Sequence, residues 1–417
     1  MKAIVLTRYG SPDVLQLVDV ATLIPRNNEV LIKIHATTVT SGDCRVRSLK
    51  MPTGFGLVSR LAFGVFRPRQ PILGTELAGE IVSVGPDVTS FKIGDQVFAM
   101  SGFGMGCHAE FKCMPEDAAL VRKPARLTYE QAAAIPFGGT TALNFFKRGN
   151  LQRGEKVLVN GASGAVGTAA VQLARHFGAE VTAVCSSANT DLVKSLGAAH
   201  VIDYTREDFT RNGETYHVVM DTVGTAPFSR SKASLKDAGR LLLVLAGLPD
   251  MLKIPWQEMT SGKKIIAGPA AERAEDLRFL AQLVEAGEFK PVIDRRYSLE
   301  QIAEAHRYVD SGRKKGNVVV TLKHDGLSGR TACPGGYRPS VATCPAWNVE
   351  YTMAGMAISP RCCISSGLTS FHSRPPTPVA RRGSATLASF SLSIRWRSSR
   401  RAWPTCCNVA RPGFSPV

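Results

Sequence analysis

The apolar positions change rhythm near residue 125, and that change divides the chain. Before it, Met1–Leu6 and Val30–Ala36 are short apolar stretches, the second partly alternating, and Glu80–Val84 and Gln96–Ala99 follow the same habit. Alternation over a few residues reads as a strand with one buried face. Gly85-Pro86-Asp87 and Lys92-Ile93-Gly94-Asp95 lie between them. Glycine and proline there supply the backbone angles that reverse a chain. Residues 1–124 are therefore expected to be β-rich. Met51–Pro71 mixes Gly, Phe, Arg and Pro without a period, and is expected as a mobile, partly apolar loop beside a pocket mouth.

After residue 125 strands and helices alternate. Thr128–Ile135 reads as a helix with Thr128 as its cap. Lys156–Asn160 is an apolar strand, Ala165–Phe177 a helix, Glu180–Cys185 a strand, and Asp191–Leu196 a helix closed by Gly197. His200–Asp203, Val218–Val223, Arg240–Ala246 and Lys263–Ala267 are further strands, with a helix over Pro227–Lys236. Continuous apolar strands alternating with helices predict an α/β fold with a doubly wound parallel sheet over residues 125–268. Beyond it, helices over Ala274–Ala286 and Leu299–Val309 and strands near Val292 and over Asn317–Leu322 are expected to return to the first domain and complete it, over about residues 269–324.

Charge then sets residues 325–417 apart. They hold 11 Arg, no Lys, and only Asp325 and Glu350 as acids, so over half of the net charge of +17 sits there. They also hold six of the ten Cys and ten of the 24 Pro, and keep no helical or strand period. Arg without Lys, among Ser, Pro and Cys, reads as an out-of-frame translation of GC-rich DNA, and a disordered, non-native tail is expected. With that charge removed, nucleic acid is not an expected partner of the core. No run of about 18 apolar residues exists, so no membrane span is expected. The opening residues lack a signal peptide's apolar core. Cys44, Cys107, Cys113 and Cys185 show no disulfide spacing, and a cytoplasmic protein is expected.

The strongest chemical signal is Asn160-Gly-Ala-Ser-Gly-Ala-Val-Gly167, which follows a strand and opens a helix. Ala162-x-Gly164-x-x-Gly167 is the dinucleotide fingerprint with its first glycine replaced by Ala. Gly164 would let the main chain approach a pyrophosphate, and Gly167 would let the helix pack on the sheet. The helix start at Ala165 and Val166 would offer free N–H groups to phosphate. NAD sites usually carry a carboxylate at the end of the second strand, about 20 residues on, for the ribose 2′-hydroxyl. Here that strand ends in Cys185-Ser186-Ser187-Ala188-Asn189. Ser186, Ser187 and Asn189 can donate hydrogen bonds and would not repel a 2′-phosphate, so NADPH is the expected cofactor. The same residues would serve as helix caps if no ligand bound.

Together these residues resemble the medium-chain dehydrogenase/reductase family, in its quinone oxidoreductase-like branch. The resemblance covers about residues 1–324. It includes Gly74-Thr-Glu-Leu-Ala-Gly79, Phe91-Lys-Ile-Gly-Asp95, Ala133-Ala-Ile-Pro136, Gly139-Thr-Thr-Ala142, Gly197-Ala-Ala-His-Val-Ile-Asp-Tyr204, Asp221-Thr-Val-Gly224 and Gly316-Asn-Val-Val-Val320. It implies a GroES-like catalytic domain over residues 1–124, a Rossmann cofactor domain over 125–268, and a homodimer formed by extending the cofactor-domain sheet. It also implies that Tyr204 lies by the adenosine 2′-phosphate and that Thr140, Thr141, Val223, Leu245, Ala246, Gly247 and Asn317 lie along the cofactor. Zinc members of the family use a Cys where Thr40 stands and a His where Thr75 stands. With two ligands replaced, no catalytic metal is expected.

Without a Lewis acid, the expected chemistry is hydride transfer to acceptors that delocalise negative charge, namely quinones and α,β-unsaturated carbonyls. Thr40 and Asp43 are the candidate polar groups of the pocket, unless they only cap a turn. A short-chain dehydrogenase is disfavoured, because no tyrosine has Lys four residues on. The alternatives are a non-catalytic NADPH-binding protein, sensor or RNA-binding, and an inactive product of a damaged gene.

Overall fold

The computed structural model describes residues 1–324, so the expectation of a disordered tail over 325–417 lies outside the described residues. Two large sheets organise them. The first holds six parallel strands in the order 200–203, 180–185, 156–160, 216–221, 235–243 and 264–266. Its chain order reverses at Lys156–Asn160, the central strand, and a crevice for a ligand forms at the carboxyl ends beside such a reversal. Strand Lys156–Asn160 shows why the sequence reads as a continuous apolar run. Val157 and Val159 pack into one cluster and Leu158 into another, on the opposite face. All three are fully buried, and each such side chain is worth about 1.5–3 kcal/mol of burial.

The second sheet has seven strands, ordered 293–298, 317–321, 29–39, 76–84, 96–100 and 120–122, with 111–115 also paired to 29–39. Its pairs are antiparallel except 293–298 with 317–321. Residues from the end of the described chain thus complete the first sheet-forming region. The helix Ala274–Ala286 behaves differently. Its buried Leu277, Leu280 and Leu283 join the cluster that also contains the parallel sheet's Val157 and Val159.

Several elements depart from the sequence expectation. Thr128 does cap a helix, but that helix covers only Tyr129–Ala133, and a second helix follows at once over Pro136–Gly149. The helix expected over Pro227–Lys236 is a turn over Phe228–Ser231 plus a tighter one to Ser234, after which strand Leu235–Leu243 begins early. Met51–Pro71 is not all loop, since Gly56–Phe63 is helical. A helix over Leu248–Ser261 was not expected at all. No helix among the described residues is long and apolar enough to cross a membrane.

Candidate active site

The glycine turn is built as its spacing implies. Gly161 has φ of +79°, where a Cβ would meet Val223 Cγ1 at 2.5 Å. Gly167 is equally constrained, since a Cβ there would lie 2.1 Å from the Gly161 carbonyl oxygen. Gly164 is the N-cap of helix Ala165–His176, and its open side meets nothing nearer than 3.6 Å. The N–H groups of Ala165, Val166 and Gly167 belong to the first turn and have no acceptor within the helix. Ser163 and Gly164 also touch the end of the fold. The Gly316 N–H donates to the Ser163 carbonyl at 2.8 Å, and Gly164 bridges Gly316.

Around this turn the remaining expected cofactor residues fall into three groups. At the end of strand Glu180–Cys185, Asn189 Nδ2 donates to Ser163 Oγ at 3.1 Å and Ser186 Oγ at 3.2 Å. Asn189 Oδ1 is buried and has no partner among the described residues. Ser187 and Tyr204 are exposed, Tyr204 by 64%. Asp203, just before Tyr204, spends its Oδ1 on the N–H and hydroxyl of Thr205. Those bonds hold its carboxyl below the usual range.

The second group lies on helix Pro136–Gly149. Thr140 donates its hydroxyl to the Pro136 carbonyl at 2.7 Å, whereas Thr141 has no side-chain bond among the described residues and is 9% exposed. This helix touches the glycine-turn helix through Gly138, where a Cβ would meet the Ala165 carbonyl at 2.4 Å. Asn317 is tied down separately, its Nδ2 donating to the carbonyls of Ala134 and Val292.

The third group lines a cavity of about 310 Å3 at the carboxyl ends of strands 216–221 and 235–243. Val223, Leu245, Ala246, Gly247 and Asp250 line it, together with Arg45, Lys50, Met51, Pro52 and Thr53 from the first domain. Asp221 shapes the lining at Val223. Its Oδ1 accepts the N–H groups of Val223 and Gly224 and its Oδ2 that of Ala226, which explains why the acid begins this motif.

Thr40 and Asp43, the candidate polar groups of the pocket, are engaged with each other and with neighbouring main chain. They form a capping box on helix Ser41–Ser48. Thr40 Oγ1 accepts the Asp43 N–H at 3.1 Å, and Asp43 Oδ2 accepts both the Thr40 N–H and its hydroxyl. Asp43 Oδ1 accepts from the Gly74 N–H, so both oxygens are engaged in holding the helix start. The residue that this helix brings to the cavity is Arg45, which the sequence reading missed. No carboxylate pairs with Arg45 among the described residues, and burial holds its pKa below the ordinary value. A guanidinium stays charged under such a shift, so the cavity, which Asp221 and Asp250 also line, carries a partly desolvated cation with no direct ion pair among the described residues.

Glu76 was also missed. It is fully buried, accepts the Thr38 hydroxyl on Oε1 and accepts the Phe137 N–H at 2.6 Å on Oε2. It thereby fixes the first turn of the helix that bears Thr140 and Thr141. Burial pushes its carboxyl up to about 8, against the opposing pull of those two hydrogen bonds.

Strand Phe111–Pro115 carries Cys113, which is only half-buried, and Cys107 is buried but precedes it. Buried His108 sets its Nε2 2.9 Å from the Thr38 carbonyl. Among the described residues no group of three or more His, Cys, Asp or Glu side chains is arranged to hold a metal.

Comparison with known proteins agrees with this architecture. The family described as "Alcohol dehydrogenase GroES-like domain" matches residues 26–125, and that described as "Zinc-binding dehydrogenase" matches residues 196–320. A chloroplast envelope quinone oxidoreductase homolog of Arabidopsis thaliana is 32% identical, covering 77% of this chain and 98% of its own. A mitochondrial NAD(P)H oxidoreductase of Danio rerio is 30% identical, covering 78% and 92%. A 2-methylene-furan-3-one reductase of Solanum lycopersicum is 31% identical, covering 77% and 79%. The solved quinone oxidoreductase of Coxiella burnetii superposes with a TM-score of 0.70 at 30% identity, over 78% of this chain and 99% of that one. The names of the first two relatives place those proteins in chloroplast and mitochondrion, which overturns the cytoplasmic expectation. With its GroES-like and Rossmann-type sheets and relatives of this identity and coverage, the chain belongs to the medium-chain dehydrogenase/reductase family, among the quinone oxidoreductases, and is an oxidoreductase.

Proposed function

We propose that the protein is an NADPH-dependent reductase that transfers hydride to a quinone or an α,β-unsaturated carbonyl without zinc. The observation that carries this reading is the cavity at the ends of strands 216–221 and 235–243, which Val223, Leu245, Ala246 and Gly247 line together with Arg45.

The residues fit a dinucleotide. The free N–H groups of Ala165, Val166 and Gly167 would hold the pyrophosphate at the open side of Gly164. Ser186, Ser187 and Asn189, whose Oδ1 lacks a partner, would meet the adenosine ribose, and exposed Tyr204 would flank its 2′-phosphate. No Asp or Glu occurs between Glu180 and Asp191, so that strand itself ends without a carboxylate, and the one beside it, Asp203 on the neighbouring strand, is engaged through Oδ1 by Thr205. Thr140, Thr141, Val223, Leu245, Ala246, Gly247 and Asn317 belong to the nicotinamide half. NADPH held there would supply a hydride from its C4.

Arg45 would stabilise the negative charge that develops on the acceptor oxygen. One preorganised donor aimed at such charge contributes about 3–4 kcal/mol. The hydride would go to the β-carbon of an enone, and a solvent proton would complete the product. Zinc independence is supported by Thr40 and Thr75 at two positions where zinc relatives carry ligands, although one matching family is described by zinc binding. The tomato relative's name, a reductase of a conjugated furanone, supports the enone class.

We further propose a homodimer. Helix Leu248–Ser261 exposes Leu252, Trp256 and Met259, each by more than 65%. It precedes strand Lys264–Ile266, which pairs on one side only among the described residues. A free strand edge beside an apolar helix suits pairing with a second copy.

NADPH oxidation by the full chain, measured with a panel of quinones and enones, tests the reading. Turnover with conjugated acceptors and not with saturated aldehydes is expected. No turnover across the panel would leave the non-catalytic NADPH-binding alternative.

A further inference from the structure

A second surface follows in the chain directly after the cavity-lining residues Met51, Pro52 and Thr53. Between Asp43 and Glu76 the chain contains no acid, yet it carries Arg45, Arg47, Lys50, Arg60, Arg67 and Arg69. Arg47 is buried and paired with Asp310. Lys50, Arg60, Arg67 and Arg69 are exposed. In the same segment Leu57 is 73% exposed, Val58 54%, Leu61 56% and Phe66 89%. Large apolar side chains gathered at such exposure mark a contact surface rather than scattered surface residues.

These side chains stand on a fixed ridge. Phe63 turns inward and packs against the catalytic-domain core and the Phe103 ring. The Tyr9 hydroxyl donates to the Gly64 carbonyl at 3.0 Å, and the Arg69 N–H donates to the Phe63 carbonyl at 2.8 Å. Helix Gly56–Phe63 is therefore anchored by one face while Leu57, Val58 and Leu61 point away. The ridge also adjoins the cavity. The Leu248 N–H donates to the Thr53 carbonyl at 2.8 Å, and Met51, Pro52 and Thr53 are cavity walls.

An anchored short helix with outward Leu and Val, a protruding Phe and flanking Arg without acids is what an anionic lipid–water interface selects. The apolar side chains enter the headgroup boundary while the guanidiniums meet lipid phosphates. A protein partner would have to be acidic as well as apolar to match. We propose that the Gly56–Arg69 ridge docks this protein on the surface of an anionic phospholipid membrane. The cavity mouth then faces the bilayer, and a lipophilic acceptor can pass from lipid to cavity without crossing water. Only that delivery step rests on the reductase reading; the docking does not. Docking of this kind needs no membrane span, and no helix among the described residues is long and apolar enough to be one.

The test is co-sedimentation of the full chain with vesicles of phosphatidylcholine mixed with phosphatidylglycerol, compared with pure phosphatidylcholine. Residues 325–417 carry their own positive charge, so the comparison is between full-length chains that differ only in the ridge. A Leu57→Ser/Leu61→Ser/Phe66→Ser variant is expected to lose roughly tenfold or more of its partitioning to mixed vesicles. Its thermal unfolding should be unchanged, because those side chains are exposed. An Arg67→Glu/Arg69→Glu variant should lose binding as well, and salt should weaken the parent chain. Equal partitioning of parent and both variants would overturn the proposal, as would absence of parent binding. A change of sedimentation coefficient in the triple variant, with vesicle binding retained, would show a protein interface instead. Turnover of a short, water-soluble quinone should be the same in parent and triple variant, which separates loss of docking from loss of the reductase reading.

Discussion

Gly164 and Gly167 should fail in opposite ways when replaced by Ala. At Gly167 an added Cβ would lie 2.1 Å from the Gly161 oxygen and 2.7 Å from Ala162 backbone atoms. Those atoms are main chain and cannot rotate aside, so the helix must move off the strand. Overpacking of this kind costs about 1–3 kcal/mol, and alanine's better helix propensity returns at most about 1 kcal/mol. At Gly164 the nearest atom is 3.6 Å away, and the N-cap angles, φ −79° and ψ 178°, suit any residue. Alanine restricts the unfolded chain, worth about 0.4–1 kcal/mol, and is a poorer N-cap by a similar amount. The net change in stability is close to zero. Its methyl, however, would occupy the side from which a pyrophosphate reaches the free N–H groups. Loss of a hydrogen bond or two to a charged group costs about 1.5–3 kcal/mol, or roughly ten- to a hundredfold in Kd. Thermal unfolding without cofactor and calorimetric titration with NADPH read the two effects separately. Gly164→Ala should unfold with the parent and bind weakly, and Gly167→Ala should unfold several degrees earlier. A Gly164→Ala protein with parental affinity would refute the assignment of this turn to the phosphates.

Arg45→Met should lower kcat for enones roughly a hundredfold while NADPH affinity changes little; unchanged kcat would remove Arg45 from the acceptor site. Ser186→Asp would place a carboxylate where the 2′-phosphate is expected, and should shift the ratio of NADPH to NADH affinity roughly tenfold or more toward NADH, measured by titration of both. Glu76 gives a pH prediction. Its ordinary value is 4.5 and burial pushes it up to about 8, so between those values the folded chain holds a proton that the unfolded chain has released. That contribution to stability is complete below about pH 4.5 and is lost as pH rises toward 8, amounting to a few kcal/mol at most. Glu76→Gln should flatten the fall in unfolding temperature across that window, and an unchanged slope would assign it to another group.

The parallel sheet was legible because its strands are buried on both faces. Val157, Leu158 and Val159 need no alternation, and the sequence shows none. Helix Pro136–Gly149 was hidden for the opposite reason. Gly138 and Gly139 are poor helix formers, yet they are required where the Ala165 carbonyl and Leu280 come within 2.4 and 2.7 Å of a Cβ position; close packing overrode local propensity. Thr40-x-x-Asp43 could have been read as a capping box, since a side-chain acceptor at the cap with an acid three residues on is its signature. The contrast between Arg45 and Arg47 was not readable. They lie two positions apart on one helix, and only the fold decides which meets Asp310 and which meets the cavity. The acid-free stretch between Asp43 and Glu76 was visible, and was the available signal for the ridge. Glu76 gave none, because its role depends on the Phe137 N–H, 61 residues away.

The most direct test of metal-free hydride transfer is to incubate chelator-treated full chain with NADPH deuterated at C4 on the transferred side and an enone, and to weigh the product by mass spectrometry. The account predicts a reduced product that carries one deuterium at the β-carbon. An unlabelled product, or a reaction that stops on chelation and resumes when zinc is restored, would contradict it.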